Sequence, residues 1–264
     1  MRVGVIGWGI VGSACGEGFR ILGHSVTHYD PKFNTTVDDV LNTDIVFVCV
    51  PTPPLENGEC DVSIIKSTIA ELKSLGYNGV IAIKSTLTPG TTQALIEQYN
   101  DPNICYVPEF LKEANALADF VINHDVLAVG CQTDRSWNTV VEANGWIPKS
   151  KVRMLPSEAE ILKYYSNTFN ALRVTFANVM YEICQRFGAD YSKVLDTFLL
   201  RKTASPDYLE CSPELRGYGG QCLPKDVQAM AHLCDKLNLP FDLFWTVDHD
   251  NKQVEITTPK GMRK

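Results

Sequence analysis

The sequence is short of positive charge: 24 Lys and Arg stand against 31 Asp and Glu, a formal net charge of −7 over 264 residues. Binding along a nucleic-acid backbone needs a field of Lys and Arg, so no nucleic-acid partner is expected, while a small anion held at a local site remains open. Long apolar runs are missing as well. None approaches the roughly 18 residues of a membrane-crossing helix, and no membrane partner is expected. The nine cysteines are odd in number and show no CxxC spacing, which argues against a disulfide framework and against a zinc site; no metal is expected. The N-terminus opens on a strand-like Val3, Val5, Ile6 pattern without a basic leader, so a cytoplasmic chain in reducing surroundings is expected.

What is present is ordinary globular material, 45% hydrophobic and 21% charged, with enough chain to bury a core unaided. Its first half alternates short β-branched runs with helical stretches: Arg2 to Ile6, Ser25 to Tyr29, Ile45 to Val50, Val80 to Ile83, Ile104 to Val107 and Val126 to Val129. That alternation predicts an α/β fold with a doubly wound parallel sheet. Near residue 150 the texture changes. Ser157 and Glu160 have capping-box spacing, and Leu162, Tyr165, Phe169, Leu172, Phe176, Val179 and Ile183 then recur at gaps of three and four. One long helix from about 158 to 187 is expected, with Gly188 as its stop and the apolar stripe as core packing, although a subunit interface would use the same stripe. The division reads as a sheet domain over 1–150 and an all-helical domain over 151–264.

Gly7, Trp8, Gly9, Ile10, Val11 and Gly12 follow the first strand and open the first helix. Glycines there permit a tight turn and close approach of a pyrophosphate to a helix N-terminus. Asp30 ends the second strand, where a carboxylate can accept from the ribose hydroxyls of NAD, with Lys32 nearby. The third strand ends in Pro51, Thr52 and Pro53, and the fourth in Lys84, Ser85 and Thr86, both at the sheet edge where nucleotides bind. Glu109 and Glu113 flank Phe110 and Leu111 after the fifth strand; either a solvated loop or a buried acid with a raised pKa fits that pattern. Lys163 and Asn167 share a helix face, by default an exposed polar pair. In the loop from Arg201 to Cys222, paired glycines precede Cys222, and Pro224 and Lys225 follow it. A cysteine at a helix N-terminus beside a lysine is the one of the nine dressed as a nucleophile.

In this order the segments resemble the UDP-glucose/GDP-mannose dehydrogenase family. The matching pieces are the glycine turn, Val50 to Pro53, Lys84 to Thr92, Pro108 to Glu113, Lys163 to Asn167, and Gly217 to Asp226. The resemblance implies a Rossmann-type NAD domain and a helical dimerisation domain. It also implies four-electron oxidation of the 6-hydroxymethyl group of a nucleotide sugar, UDP-glucose above all, with two NAD. Cys222 is then the nucleophile that carries a thiohemiacetal and a thioester. Lys163 and Asn167 stabilise the reacting sugar oxygen, Asp226 and Thr86 position a water or accept a proton, and Glu109 activates the hydrolytic water. Glu113 and Lys225 lie towards the cofactor. Phe110, Leu111, Tyr208, Leu209, Tyr218 and Gly219 lie towards the substrate, and the active form is a homodimer.

Three departures from the family pattern stand out. The stretch between Asp30 and the third strand is short, and no Arg stands in Thr203 to Leu209, leaving Arg201, Lys202 or Arg216 to replace the family's arginine. The sequence also ends before the second α/β domain with which the family holds uridine diphosphate. Two other readings stay open: a two-electron β-hydroxyacid-type dehydrogenase, and a non-catalytic NAD-binding subunit.

Overall fold

The computed structural model describes residues 1–56 and 58–257. Among them seven strands form one sheet: β1 (Arg2–Ile6), β2 (Ser25–Tyr29), β3 (Ile45–Val48), β4 (Val80–Ile83), β5 (Ile104–Tyr106), β6 (Val126–Gly130) and β7 (Ser150–Met154). Their spatial order is β2-β1-β3-β4-β5-β6-β7. Strands β1 to β5 run parallel, β6 joins β5 antiparallel through Tyr106 and Gly130, and β7 runs parallel to β6. The order reverses between β1 and β3, which sets the carboxyl ends of those strands at the crevice where such sheets take ligands.

The strand sequences are apolar because both faces are covered. Alternate residues serve opposite faces: Ile45, Phe47, Val80 and Ala82 pack with Phe19 and Phe120, and Val46, Val48, Ile81 and Ile83 pack with Ile65, Ile69 and Leu72. The covering helices are α1 (Ile10–Ile21), α2 (Asp38–Leu41), α3 (Ser63–Ser74), α4 (Thr91–Tyr99), α5 (Ala116–Val121) and α6 (Asp134–Asn144).

Strand β7 corrects the sequence reading, which has no strand there and draws a boundary at 150. Ser150, Lys151, Val152 and Arg153 are exposed, as suits a charged edge strand. It pairs with β6 along its whole length. The chain divides instead into one compact unit of Met1–Pro53 with Cys60–Lys163 and a second of Pro54–Glu59 with Tyr164–Lys264.

The long helix α7 (Pro156–Arg186) is 31 residues, about 46 Å at 1.5 Å per residue. Gly188 follows it with φ 64°, and the Ala189 N–H reaches back to the Cys184 carbonyl at 2.8 Å, the left-handed stop the sequence predicts. Its start differs from expectation. The Leu155 N–H donates to Glu158 at 2.7 Å, so Glu158 and not Glu160 closes the first turn.

The sidedness of α7 is inverted relative to the expected core stripe. Tyr165, Phe169, Phe176, Val179 and Ile183 are exposed, by 69% at Tyr165, while Tyr164, Ala171, Val174, Ala177 and Asn178 are buried. Small residues and amides let neighbouring chain approach the helix backbone. In the second unit Ala171 and Val174 pack with Tyr218, Val227 and Val247, and Ala177 and Cys184 pack with Tyr191, Leu209 and Cys211. The unit is completed by α8 (Tyr191–Leu199), α9 (Leu223–Lys236) and α10 (Leu243–Asn251). Among the described residues no helix is long and apolar enough to cross a membrane.

Candidate active site

The glycine turn at the end of β1 is built around contacts that admit no side chain. Gly7 has φ 90°, and a Cβ there would stand 2.6 Å from the Cys49 carbonyl oxygen; one on Gly12 would stand 1.9 Å from that of Gly7. Gly9 is the N-cap of α1 with no side-chain cap, and a Cβ built on it meets nothing within 4 Å. The positive end of α1, with the N–H groups of Ile10, Val11 and Gly12, therefore opens onto clear space, which suits a pyrophosphate.

Asp30 ties this turn to β2. One carboxylate oxygen accepts from the Trp8 N–H at 2.8 Å and the other from the Lys32 N–H at 2.9 Å. Each oxygen keeps a second lone pair for a ribose hydroxyl. The residues present fit NAD on both counts: an uncapped helix end for its diphosphate and a fixed carboxylate for its ribose.

At the neighbouring strand ends, Ser85 Oγ donates to the Val50 carbonyl at 2.7 Å, joining the turn after β3 (Pro51, Thr52, Pro53) to Ser85 and Thr86 after β4. Glu160, read from sequence as a capping residue of its own helix, caps α4 instead. It accepts from the N–H groups of Gly90 and Thr92 and from the Thr92 hydroxyl at 2.6–2.7 Å. Burial raises its carboxyl pKa against those donors.

Glu109 is neither of the two things its sequence pattern offers. It is buried, yet its carboxyl is not raised: burial opposes the anion, and the Lys84 ammonium at 2.7 Å, together with His124 and the Phe110 N–H, holds Glu109 below its ordinary value. Lys84 in turn is held protonated against its own burial by Glu109. Sequence reading took Lys84 only as the start of a hydroxyl cluster; the signal available was a lysine directly after a buried strand, where an unpaired charge is not tolerated. Lys163 reaches the main-chain carbonyl of Glu109 and lies 5.6 Å over the Phe110 ring. Glu109, Phe110, Leu111 and His124 line a cavity of about 280 Å³. Glu113 is exposed on a single 3-10 turn.

In the second unit, Cys222 is exposed, the one exposed thiol of the nine, and stands as N-cap of α9, with Pro224 in the first turn. One turn on, Asp226 is fully buried. One of its carboxylate oxygens accepts from Lys225 Nζ at 2.7 Å, the other from Asn167 Nδ2 at 2.6 Å. Asn167 is therefore a buried partner and not half of an exposed pair. The other thiols are masked: burial pushes Cys15 upward and Cys49 to about 12.

The loop that delivers Cys222 is fastened by two amides absent from the sequence reading. Asn178 on α7 accepts from Arg216 Nε at 2.7 Å and from the Gly217 N–H at 3.2 Å. Asn251 on α10 accepts from the Tyr218 N–H at 2.8 Å and donates to the Tyr218 carbonyl at 2.9 Å. Gly217 and Gly220 adopt φ 62° and 78°, which accounts for the glycines.

Four residues expected to lie towards the substrate sit in or beside the core of the second unit. The side chains of Tyr218 and Leu209 belong to the core of this unit. Tyr208, in the left-handed region at φ 62°, packs against that core, and Gly219 is half-buried beside it. Arg216 pairs with Glu182 at 2.5 Å and lies 4.8 Å over the Tyr181 ring, while Arg201 and Lys202 are exposed.

Two family models match the chain. The model described as UDP-glucose/GDP-mannose dehydrogenase family, NAD binding domain, covers residues 30–143, and that of the family's central domain covers 157–253. UDP-glucose 6-dehydrogenase AglM of Haloferax volcanii is 29% identical over 87% of this chain and 64% of its own length. UDP-glucose 6-dehydrogenase of Rickettsia typhi is 27% identical over 96% and 67%. A solved UDP-glucose dehydrogenase from Pyrobaculum islandicum superposes with a TM-score of 0.85 at 26% identity, covering 96% of this chain and 68% of that one. The chain thus spans about two thirds of the length of these relatives. The two models together match residues 30–143 and 157–253, and the chain belongs to the UDP-glucose/GDP-mannose dehydrogenase family.

Proposed function

We propose that the chain is an NAD-dependent nucleotide-sugar 6-dehydrogenase that takes UDP-glucose to the uronate. The observation that carries this reading is the exposed Cys222 at the N-cap of α9, one turn from the buried Asp226 with its Lys225 and Asn167 partners. NAD, held by the glycine turn at the end of β1 and by Asp30, would supply the hydride acceptor for each of two oxidations. In the first, Asp226 and Thr86 direct the hydroxyl proton away, through water, as C6 gives up a hydride and becomes an aldehyde. The Cys222 sulfur then adds to that carbonyl, forming the C–S bond of a thiohemiacetal, while Lys163 and Asn167 donate to the oxygen as negative charge develops. Loss of a second hydride gives a thioester, and water displaces sulfur to leave a carboxylate and the restored thiol. Two hydrides and three protons leave per sugar.

The measurement is NADH formed per mole of sugar over a panel of UDP- and GDP-sugars. Two per mole with UDP-glucose is expected. One per mole would favour the two-electron reading, and NAD binding without any reduction would favour the non-catalytic one.

The active form is proposed to be a homodimer joined through the apolar stripe of α7. Tyr165, Phe169, Phe176, Val179 and Ile183 are exposed along one helix face, an apolar stripe of the kind that a subunit interface buries. Sedimentation is expected to give twice the chain mass, and Phe176→Glu to give a folded monomer. A wild-type chain that sediments as a monomer at tens of micromolar would end this proposal.

A further inference from the structure

A proton that Glu109 takes from water has few ways out. Glu109 is 8% exposed. One carboxylate oxygen faces Lys84 Nζ at 2.7 Å and the Cys15 thiol at 3.8 Å, and the other faces the N–H groups of Phe110 and Leu111 at 2.8 and 3.2 Å. Against its own burial Lys84 is held protonated by Glu109, and burial keeps Cys15 a thiol. All four are donors, and none can take a proton onward.

His124 also faces this carboxyl, and it can. Gly130 of β6 lies opposite Tyr106 of β5 in an antiparallel pair, so Val126 and the turn before it run past the carboxyl end of β5, the end from which Glu109 emerges. The Lys112 N–H donates to Asp119 on α5 at 3.0 Å, which ties the segment after Glu109 to the helix that leads into His124. Glu109, Lys112, Asp119, His124 and Asp125 line one cavity of about 280 Å³, room for several waters at about 30 Å³ each. The imidazole Nδ1 is buried and makes no well-formed hydrogen bond. The main-chain group beside the ring is the Phe120 carbonyl, itself an acceptor. Burial holds His124 below its ordinary value, Lys84 acts in the same sense, and Glu109, Asp125 and the Phe120 carbonyl oppose them. Near neutral pH the ring is therefore uncharged and free to accept.

We propose that His124 receives the proton that Glu109 takes from the hydrolytic water and delivers it to solvent beside the exposed Asp125. The proposal rests on the dehydrogenase reading, in which Glu109 activates that water, and His124 lies outside every segment that carries the family resemblance. The water oxygen bonds to the thioester carbon as one proton moves to Glu109. The carbon–sulfur bond breaks, its electron pair leaves with sulfur, and sulfur takes the other proton of the added water, which restores the thiol and leaves a carboxylate. The Glu109 proton crosses the cavity through water to the imidazole and leaves from it, so both side chains return to their starting forms. An imidazole is ordinarily about a hundredfold the stronger base of the two, which drives the transfer forward.

The test is rapid quench of single turnovers with UDP-glucose and excess NAD, reading NADH and, by the mass of the intact chain, the acyl group on Cys222. In His124→Gln both hydride transfers are expected at the wild-type rate and hydrolysis about 10²-fold slower, the low end of acid–base assistance, with Cys222 left acylated. Added imidazole is expected to restore hydrolysis in His124→Ala and not in His124→Gln, whose side chain fills the place. Wild-type hydrolysis is expected to fall as pH falls through the His124 value, because the protonated ring accepts nothing, and the His124→Gln profile to lack that step. Hydrolysis at the wild-type rate in His124→Gln overturns the relay, and so does a loss in His124→Ala that imidazole does not restore, the mark of a residue that only supports the fold. A wild-type chain that reduces no NAD with any nucleotide sugar defeats the dehydrogenase reading and the relay with it. An active wild type beside an unaffected His124→Gln defeats the relay alone.

Discussion

Cys222→Ser is expected to stop uronate formation, lowering complete turnover at least about a thousandfold, which corresponds to roughly 4 kcal/mol on the barrier. The reason lies in the second oxidation. An aldehyde has no hydroxyl-bearing carbon from which a hydride can leave until a nucleophile adds to it, and the adduct must persist long enough for that departure. Sulfur adds readily and leaves readily; a serine hydroxyl is a far weaker nucleophile near neutral pH. Serine is close in size to cysteine and Cys222 is exposed at the N-cap of α9, so the variant is expected to fold and to carry out at most the first hydride transfer. Stopped-flow absorbance would show up to one NADH per site, followed by no uronate. Uronate at the wild-type rate would remove Cys222 from the mechanism.

Lys84→Met is expected to cost about 3–5 kcal/mol of folding stability near neutral pH, the usual result of leaving one member of a buried ion pair alone. The pH dependence identifies the cause. In the wild type Glu109 is held below its ordinary value, so its contribution to stability is complete above the unfolded value of about 4.3 and is lost as pH falls through the folded one. Without Lys84, burial is the largest influence left on the carboxyl, opposed only by His124 and the Phe110 N–H, and it raises the carboxyl. The variant's deficit is then complete above that raised value and shrinks as pH falls towards the unfolded one. Urea unfolding at pH 7.5 and pH 5 would show the two stability curves converging in acid, and the double variant with Glu109→Gln recovering most of the loss. Curves that stay parallel between those pH values would mean that the deficit is packing and not charge.

The fold was largely legible because its strands are covered on both faces. Ile45 to Val48 and Val80 to Ile83 announce themselves as buried strands, and the glycine turn announces the nucleotide crevice. Strand β7 was not legible, because an edge strand made of Ser, Lys, Val and Arg carries no apolar pattern. The long helix was legible in extent and not in orientation: its most hydrophobic stripe is the exposed one, since periodicity records that a face is apolar without saying what covers it.

The same division runs through the site. Cys222 could be found among nine cysteines from the glycines before it and the proline after it. Lys84, Glu160, Asn178 and Asn251 could not, because a buried ion pair or amide hub is defined by partners tens of residues away. A resemblance carries the role of Glu109 from the family motif, whereas only the geometry reveals the Lys84 ammonium beside it.

Asn251 draws the last described helix into the chemistry without touching a reacting atom. The main chain of Tyr218 has both its N–H and its carbonyl bonded to that one amide, so the loop ahead of Cys222 borrows its order from α10. Opening of α10 and exchange of the Tyr218 amide with solvent are then a single event with a single free energy. The exposed thiol of Cys222, the proposed nucleophile, is presented only while α10 stays docked, and the protection of one backbone amide reports the fraction of molecules in which it does.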